Sequence, residues 1–293
     1  MLDTLNLSYR RKLTPVILPT QNEAPHAFVD AIGTRHAPVT TAPRIVSLVP
    51  SLTELLCDLD LTGALVGRTG FCIHPRALVR GIPKVGGTKD VNVARIRELA
   101  PTHVVVNVDE NEKPVVDELA RCVPHVIVTH PLAPGDNPAL YRLLGGIFHR
   151  EDKAEALCRE FARAHDEAAA ACAALPRQNV LYLIWRQPWM TVSRDTYISR
   201  TLALVGWDTL PAAARVRYPE VELDAELLSD VDLVLLSSEP YRFRERDIDT
   251  VQNLRPRGAR YGVRLIDGEI TSWYGSRAIR GLRELGRLRE SFG

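Results

Sequence analysis

The chain has 293 residues, 45% hydrophobic and 25% charged, which is enough for two cores of ordinary domain size. Its 37 Lys and Arg nearly cancel 36 Asp and Glu, so the basic excess that a nucleic-acid binder carries is missing. The longest apolar runs, such as 103–108 and 231–236, fall far short of the roughly 20 residues needed to span a bilayer.

Residues 1–43 hold Pro15, Pro19, Pro25, Pro38 and Pro43 with little periodicity, a pattern that predicts an irregular arm, lying on the surface or partly disordered. The opening MLDTLNLSYRRKLTPVILPTQ lacks the apolar stretch and small-residue cleavage site of a Sec signal. Arg10-Arg11 is not followed by the apolar run of a twin-arginine signal. The five cysteines are odd in number and irregularly spaced, and fit reduced thiols better than a disulfide framework. The expected location is therefore cytoplasmic as the sequence stands, or periplasmic if the true N-terminus differs.

From Arg44 the pattern sharpens. RIVSLVP (44–50) reads as a buried strand, and Ser51 or Thr53 as the cap of a helix through LTELLCDL, with Glu54 completing a capping box after Ser51. Leu65-Val66-Gly67 is a strand stub that leads into the loop RTGFCIHP (68–75). The Gly-rich turn VGGTKDVN, the helix VARIRELA, the strand HVVVNV, a helix around Lys113–Arg121 and the strand HVIVT (125–129) follow. Strands alternating with helices predict an α/β lobe with a mainly parallel sheet.

A helix is expected over 136–150, weakened in its second half by Gly145-Gly146. Residues 151–175 are nearly all strong helix formers and stop at Pro176; at 1.5 Å per residue they make a rod of about 37 Å. Cys158 and Cys172 fall on one face of this rod and read as packing residues. NVLYLIW (179–185) then opens a second α/β run, with a helix at 197–205, strands at 231–238 and 264–267, and a last helix over 277–291. RIRELAPTHVVVNVDE (95–110) and ELLSDVDLVLLSSE (226–239) each join a helix, a turn and an apolar strand ending in acidic residues, a faint internal repeat on either side of the rod. The expected fold is α/β: two lobes with mainly parallel sheets joined by a single long helix. The divisions are an arm (1–43), a first lobe (44–135), a linking helical segment (136–176) and a second lobe (177–293).

Catalytic motifs are missing. The sequence holds no GxxxxGK[ST] loop, no GxGxxG after a strand, no GxSxG elbow and no HExxH, so an enzyme is not expected. Cys72-Ile73-His74 places two metal-capable side chains close together, but no orienting third group is evident.

The succession RIVSLVPSLTELL, LVGRTGFCIHP, VNVARIRELAPTHVVV, one long helix and a second α/β lobe resembles the periplasmic cobalamin-binding proteins. These belong to the helical-backbone metal-receptor type of substrate-binding protein that serves metal-chelate ABC transporters. The similarity runs from about Arg44 to the C-terminus and is more specific in the first lobe. It implies a ligand held between two lobes with little hinge motion, here cobalamin or a related corrinoid as ligand, with no catalytic cofactor. Position by position, it assigns ligand contacts to Phe71, to Tyr218 in the Tyr218-Pro219 pair, to Glu269 through Tyr274 (with Trp273 among them) and to Arg277. Trp185 and Trp189 in the loop 185–190 fall at the cleft rim. A tryptophan that the family can carry in its Gly-rich turn falls on Thr88, removing one stacking surface. Of two acidic residues that dock such proteins onto the permease, one falls on Asp224 and the other on Ala94.

A corrinoid is a wide apolar ring bordered by amides, so its site needs aromatic platforms with sparse polar groups. Phe71, Trp185, Trp189, Tyr218, Trp273 and Tyr274 lie in loops or at strand ends in a chain with only 6 Phe, 8 Tyr and 4 Trp; the bland alternative is that they plug loops onto cores. His74 is the candidate axial ligand to cobalt, with Cys72 beside it and His130 across the lobe, against the alternative of a hydrogen-bonded surface histidine. His103 and His125 read as structural, and Arg280 as part of a solvated face. Two rival readings remain. A haem or iron-siderophore binder would draw on Arg186, Arg217 and Arg277, whereas an intracellular corrinoid- or metal-handling protein would centre on Cys72 and His74.

Overall fold

The computed structural model describes residues 28–292. Two separate four-stranded sheets form the frame, each entirely parallel. A hairpin of β1 (Phe28–Val29) and β2 (Arg35–His36) precedes the first sheet, which holds β3 (Ile45–Ser47), β4 (Leu65–Arg68), β5 (His103–Asn107) and β6 (His125–Thr129) in the order β4-β3-β5-β6. The second holds β7 (Gln178–Leu183), β8 (Trp207–Thr209), β9 (Leu233–Ser237) and β10 (Gly262–Ile266) in the order β8-β7-β9-β10. Counting strands within each lobe, both sheets run second, first, third, fourth. The two halves of the faint repeat supply β5 and β9, the third strand of each. Every residue of β5 and β9 is buried, which is why both read as continuous apolar runs rather than alternating ones.

The helices are α1 (Pro50–Asp58), α2 (Arg76–Val79), α3 (Val93–Leu99), α4 (Lys113–Leu119), α5 (Asn137–Ile147), α6 (Glu151–Cys172), α7 (Tyr197–Leu204), α8 (Ala225–Ser229), α9 (Glu245–Gln252), α10 (Glu269–Ser272) and α11 (Arg277–Glu290). α6 is the predicted rod. At 22 residues it is about 33 Å long. It buries Ala154, Cys158, Phe161, Ala164, Ala168 and Cys172 along one face, between α5 on one side and α11 on the other.

That packing makes one apolar seam common to both lobes. Ile45, Val105 and Ile127 from one face of the first sheet, and Val180, Tyr182, Leu233 and Leu235 from one face of the second, join α1, α5, α6, α7 and α11 in a single cluster. The outer face of each sheet has its own smaller cluster, with Val104, Val106, Ile96 and Leu119 in the first lobe and Leu181, Val234, Leu228 and Phe243 in the second.

Several local expectations are corrected. No Ser or Thr caps α1: Val49 is the cap residue, Pro50 occupies the first turn, and Thr53 turns its hydroxyl back to the Val49 carbonyl at 2.9 Å. Residues 28–43, the described part of the expected arm, form the short β1–β2 hairpin and otherwise run irregularly along the first lobe. Ala31 N–H donates to the Val128 carbonyl at 2.9 Å and Val128 N–H donates to the Asp30 carboxylate at 3.1 Å. The expectations for residues 1–27, including the export-signal reading, lie outside the described residues. Gly145 and Gly146 do not weaken α5, because they let it approach its neighbours: a Cβ on Gly145 would sit 2.5 Å from Ala154 Cβ in α6, and one on Gly146 would meet the Phe28 ring at 2.0 Å.

Candidate functional site

The carboxyl ends of both sheets face each other, and the loops that leave them meet. This is the position at which open parallel sheets offer a crevice. In the first lobe the loop after β4 is held by Arg68, whose buried guanidinium donates to the carbonyls of Val79 (2.8 Å) and Thr69 (3.0 Å). Asn111 carries the loop after β5. Its Oδ1 accepts from Asn107 N–H at 3.0 Å, while its amide donates to the Thr88 carbonyl at 3.0 Å and so ties in the Gly-rich turn.

Contacts across the crevice come in two groups. On one side Arg217 Nη1, from the loop after β8, donates to Asp109 Oδ1 at 2.7 Å and to His130 Nε2 at 2.8 Å. On the other side His74 Nε2 lies 3.4 Å from Glu269 Oε1, and its ring stands edge-on to Trp273 with centroids 5.8 Å apart.

Residues 273–277 close the back of the crevice as a junction between the lobes. Gly275, at φ +81°, donates its N–H to Asn137 Oδ1 (2.7 Å) and accepts from Tyr141 OH (2.9 Å), and a Cβ there would lie 3.2 Å from the Ser51 carbonyl. Arg277 makes a two-pronged pair with Glu54 of α1, at 2.6 and 2.9 Å, pairs also with Glu269, and lies over the Trp273 ring at 4.6 Å. Arg277 is therefore held at the junction by carboxylates from both lobes, with 12% of its side chain exposed. Trp273 is buried as well, and its indole N–H donates to Glu239 Oε1 at 2.8 Å. Tyr274 is 6% exposed, set edge-on to Tyr197.

Cys72 lies inside the first lobe. It is fully buried, with its sulfur 3.0 Å from Thr69 Oγ1 and turned toward the Ser47 carbonyl. Burial raises its thiol pKa above the ordinary value, the reverse of what a thiolate ligand or nucleophile needs.

The aromatic candidates divide. Phe71 is 62% exposed, with its ring edge over Gly87. Trp185 and Tyr218 are about two-fifths and one-third exposed, and Ile73, Val108 and Val216 add apolar surface to the same loop ends. Trp189 packs into its own lobe, stacked on Phe243 with Arg186 above it. Thr88 is half-buried and contributes its carbonyl to Asn111.

Sequence reasoning missed the carboxylates. Glu239 accepts from Ser272 Oγ (2.6 Å) and from the Trp273 indole, and burial raises its pKa. Burial raises that of Glu110 too, with the charge of Glu239 acting in the same direction. The Tyr218 phenol is pushed up first by burial of its hydroxyl end and then by Asp109. The Tyr274 hydroxyl is buried with no hydrogen-bond partner. An orphan of that kind costs on the order of 1–3 kcal/mol. The signal was present in the repeat, where both third strands run into acidic residues, Asp109-Glu110 and Glu239.

Among the described residues no three His, Cys, Asp or Glu side chains are grouped to hold a metal ion, and no helix is long and apolar enough to cross a membrane. Asp224 caps α8, accepting from Leu227 N–H at 2.9 Å, and Ala94 is exposed in the first turn of α3. Both helices lead into the third strand of their lobe, so the two positions correspond.

The vitamin B12-binding protein of Yersinia pseudotuberculosis serotype O:1b (strain IP 31758) is 22% identical over 211 residues, which cover 72% of this chain and 75% of the relative. Among solved structures, the periplasmic vitamin B12 binding protein BtuF of Vibrio cholerae superposes with a TM-score of 0.71 at 16% identity, covering 85% of this chain and 97% of that one. The periplasmic heme binding protein HutB of Vibrio cholerae gives 0.70 at 20% identity, covering 85% and 99%. At such identities these structures show the shared fold. A model of the periplasmic binding protein family matches residues 45–255, and the chain belongs to that family.

Proposed function

We propose that the chain is a binding protein for cobalamin or a related corrinoid, taken up in the crevice between the lobes, and not an enzyme. The observation that carries the choice of ligand is the state of the crevice arginines. Arg277 is engaged by Glu54 and Glu269, and Arg217 by Asp109. Haem propionates or an anionic siderophore would need those cations free, and would instead meet Glu110, Glu239 and Glu269. A corrinoid rimmed by uncharged amides carries no such penalty, and the exposed rings of Phe71, Trp185 and Tyr218 offer it apolar platforms. The vitamin B12-binding name of the sequence relatives points the same way. The rival centred on Cys72 loses its nucleophile to burial, and Arg186, a cation the haem or siderophore reading would enlist, is paired with Asp247.

His74 is the one imidazole we assign to cobalt, in exchange for its Glu269 contact. Family membership makes an ABC transporter permease the natural recipient, and the retained acid at Asp224 would carry that docking from the second lobe. Delivery of that kind takes place in the periplasm. Calorimetric titration with cyanocobalamin, aquocobalamin and hemin tests the reading. We expect heat with the corrinoids, none with hemin, and a visible-band shift with aquocobalamin that His74→Ala abolishes. Binding of hemin alone, or of nothing, would sink it.

A further inference from the structure

Three side chains meet across one side of the crevice. Asp109 and His130 stand next to each other on the first lobe, each just past the end of its strand, where Asn107 of β5 is in register with Thr129 of β6. Asp109 is fixed there by its own N–H, which donates to Asn107 Oδ1 at 2.8 Å, and by Val108 N–H, which donates to the Thr129 carbonyl at 3.1 Å. Arg217 is anchored in the second lobe, where its carbonyl accepts from Ser193 N–H at 2.8 Å. Its guanidinium crosses over, with Nη1 shared between Asp109 (2.7 Å) and His130 (2.8 Å). These three side chains are 24–26% exposed, against 12 and 16% for the Arg277–Glu54 pair at the junction. The contact lies within reach of solvent and of an arriving ligand.

The bridge is opposed by part of its own side chain. Arg217 Nε is buried without a partner among the described residues, and the same N–H would find water if the side chain swung outward. The neighbours of the bridge are surfaces that a ring would use: Val216 and Tyr218 flank Arg217, and Val108 precedes Asp109. A flat ring packed on both faces needs about 3.5–4 Å on each, hence about 7 Å between the groups that flank it. Groups bonded at 2.7 and 2.8 Å leave no such gap. We propose that Arg217 is a latch, which in the free protein holds the two loop ends together through Asp109 and His130 and which the ligand displaces on entering. This rests on the corrinoid reading and adds a built-in competitor for the crevice, because the bridge and the ring exclude each other. A latch shut nine-tenths of the time lowers both the rate of entry and the affinity about tenfold.

Stopped-flow mixing of the full chain with cyanocobalamin tests the latch. Arg217→Met, which keeps an apolar stem and removes the fork, should raise the association rate about tenfold, leave dissociation within about twofold and tighten Kd to match. Asp109→Asn, made on the opposite lobe, should give a smaller rise in the same direction. The double variant should gain no more than Arg217→Met alone, since both changes break one contact. Added salt should speed entry into wild type but not into Arg217→Met, because cyanocobalamin carries no net charge for salt to screen. An association rate that is unchanged or slower in Arg217→Met, or a gain that simply adds in the double variant, overturns the latch and spares the corrinoid reading. Absence of corrinoid binding by wild type and by both single variants overturns both.

Discussion

His103 is a buried imidazole with a measurable consequence. It is stacked on His125 at 4.7 Å and set edge-on to Phe148, and burial, helped by His125 and His36, lowers its pKa from 6.5 to about 4. The unfolded chain therefore binds this proton first as pH falls. The stabilisation is complete above about pH 6.5 and is lost progressively toward pH 4, up to about 3 kcal/mol. Denaturant melts between pH 4 and 8 should show this acid limb, and His103→Gln should flatten it. The structural role of His103 was legible because it precedes an apolar strand. The fates of Cys72 and Arg277 were not: spacing places a residue in a loop, but whether the side chain turns to the slot or to the scaffold depends on partners up to 223 residues away, as with Glu54 and Arg277.

Elements with a strong period were read most easily. The long helix, the last helix and the buried third strands stand close to their expected bounds, because helix formers in series and unbroken apolar runs leave few alternatives. Short pieces such as α2, β8 and α10 escaped notice, having too few residues to display a period. The glycines of α5 misled for a related reason. Propensity scales charge glycine about 1 kcal/mol in a helix, yet here its missing side chain is what allows contact. Gly145→Ala should lower stability by about 1–3 kcal/mol despite the better helix former, since the added methyl meets Ala154 Cβ and the Arg150 carbonyl. Chemical denaturation settles the sign; a gain in stability would show that α5 and α6 can move apart freely.

At the scale of the molecule, matching strand orders in the two sheets give the faint repeat a structural meaning, and the two-lobed α/β plan was legible throughout. What could not be read was that the lobes share their principal apolar cluster instead of each keeping its own. Pattern reveals which residues are buried, not which neighbours they are buried with. The shared cluster predicts one cooperative thermal transition for both lobes in calorimetry. Glu54→Ala should lower folding stability by about 3 kcal/mol, toward the low end for a broken buried pair because Glu269 still holds Arg277. Two separate transitions in the unsubstituted protein would contradict the shared cluster.

That common seam also means the molecule has no place where it can be cut cleanly. A fragment ending near Pro176, or one starting there, would turn a broad greasy flank to water and would clump before it could fold into a working half. Capturing a ligand is accordingly a property of the undivided chain, however alike its two sheets look.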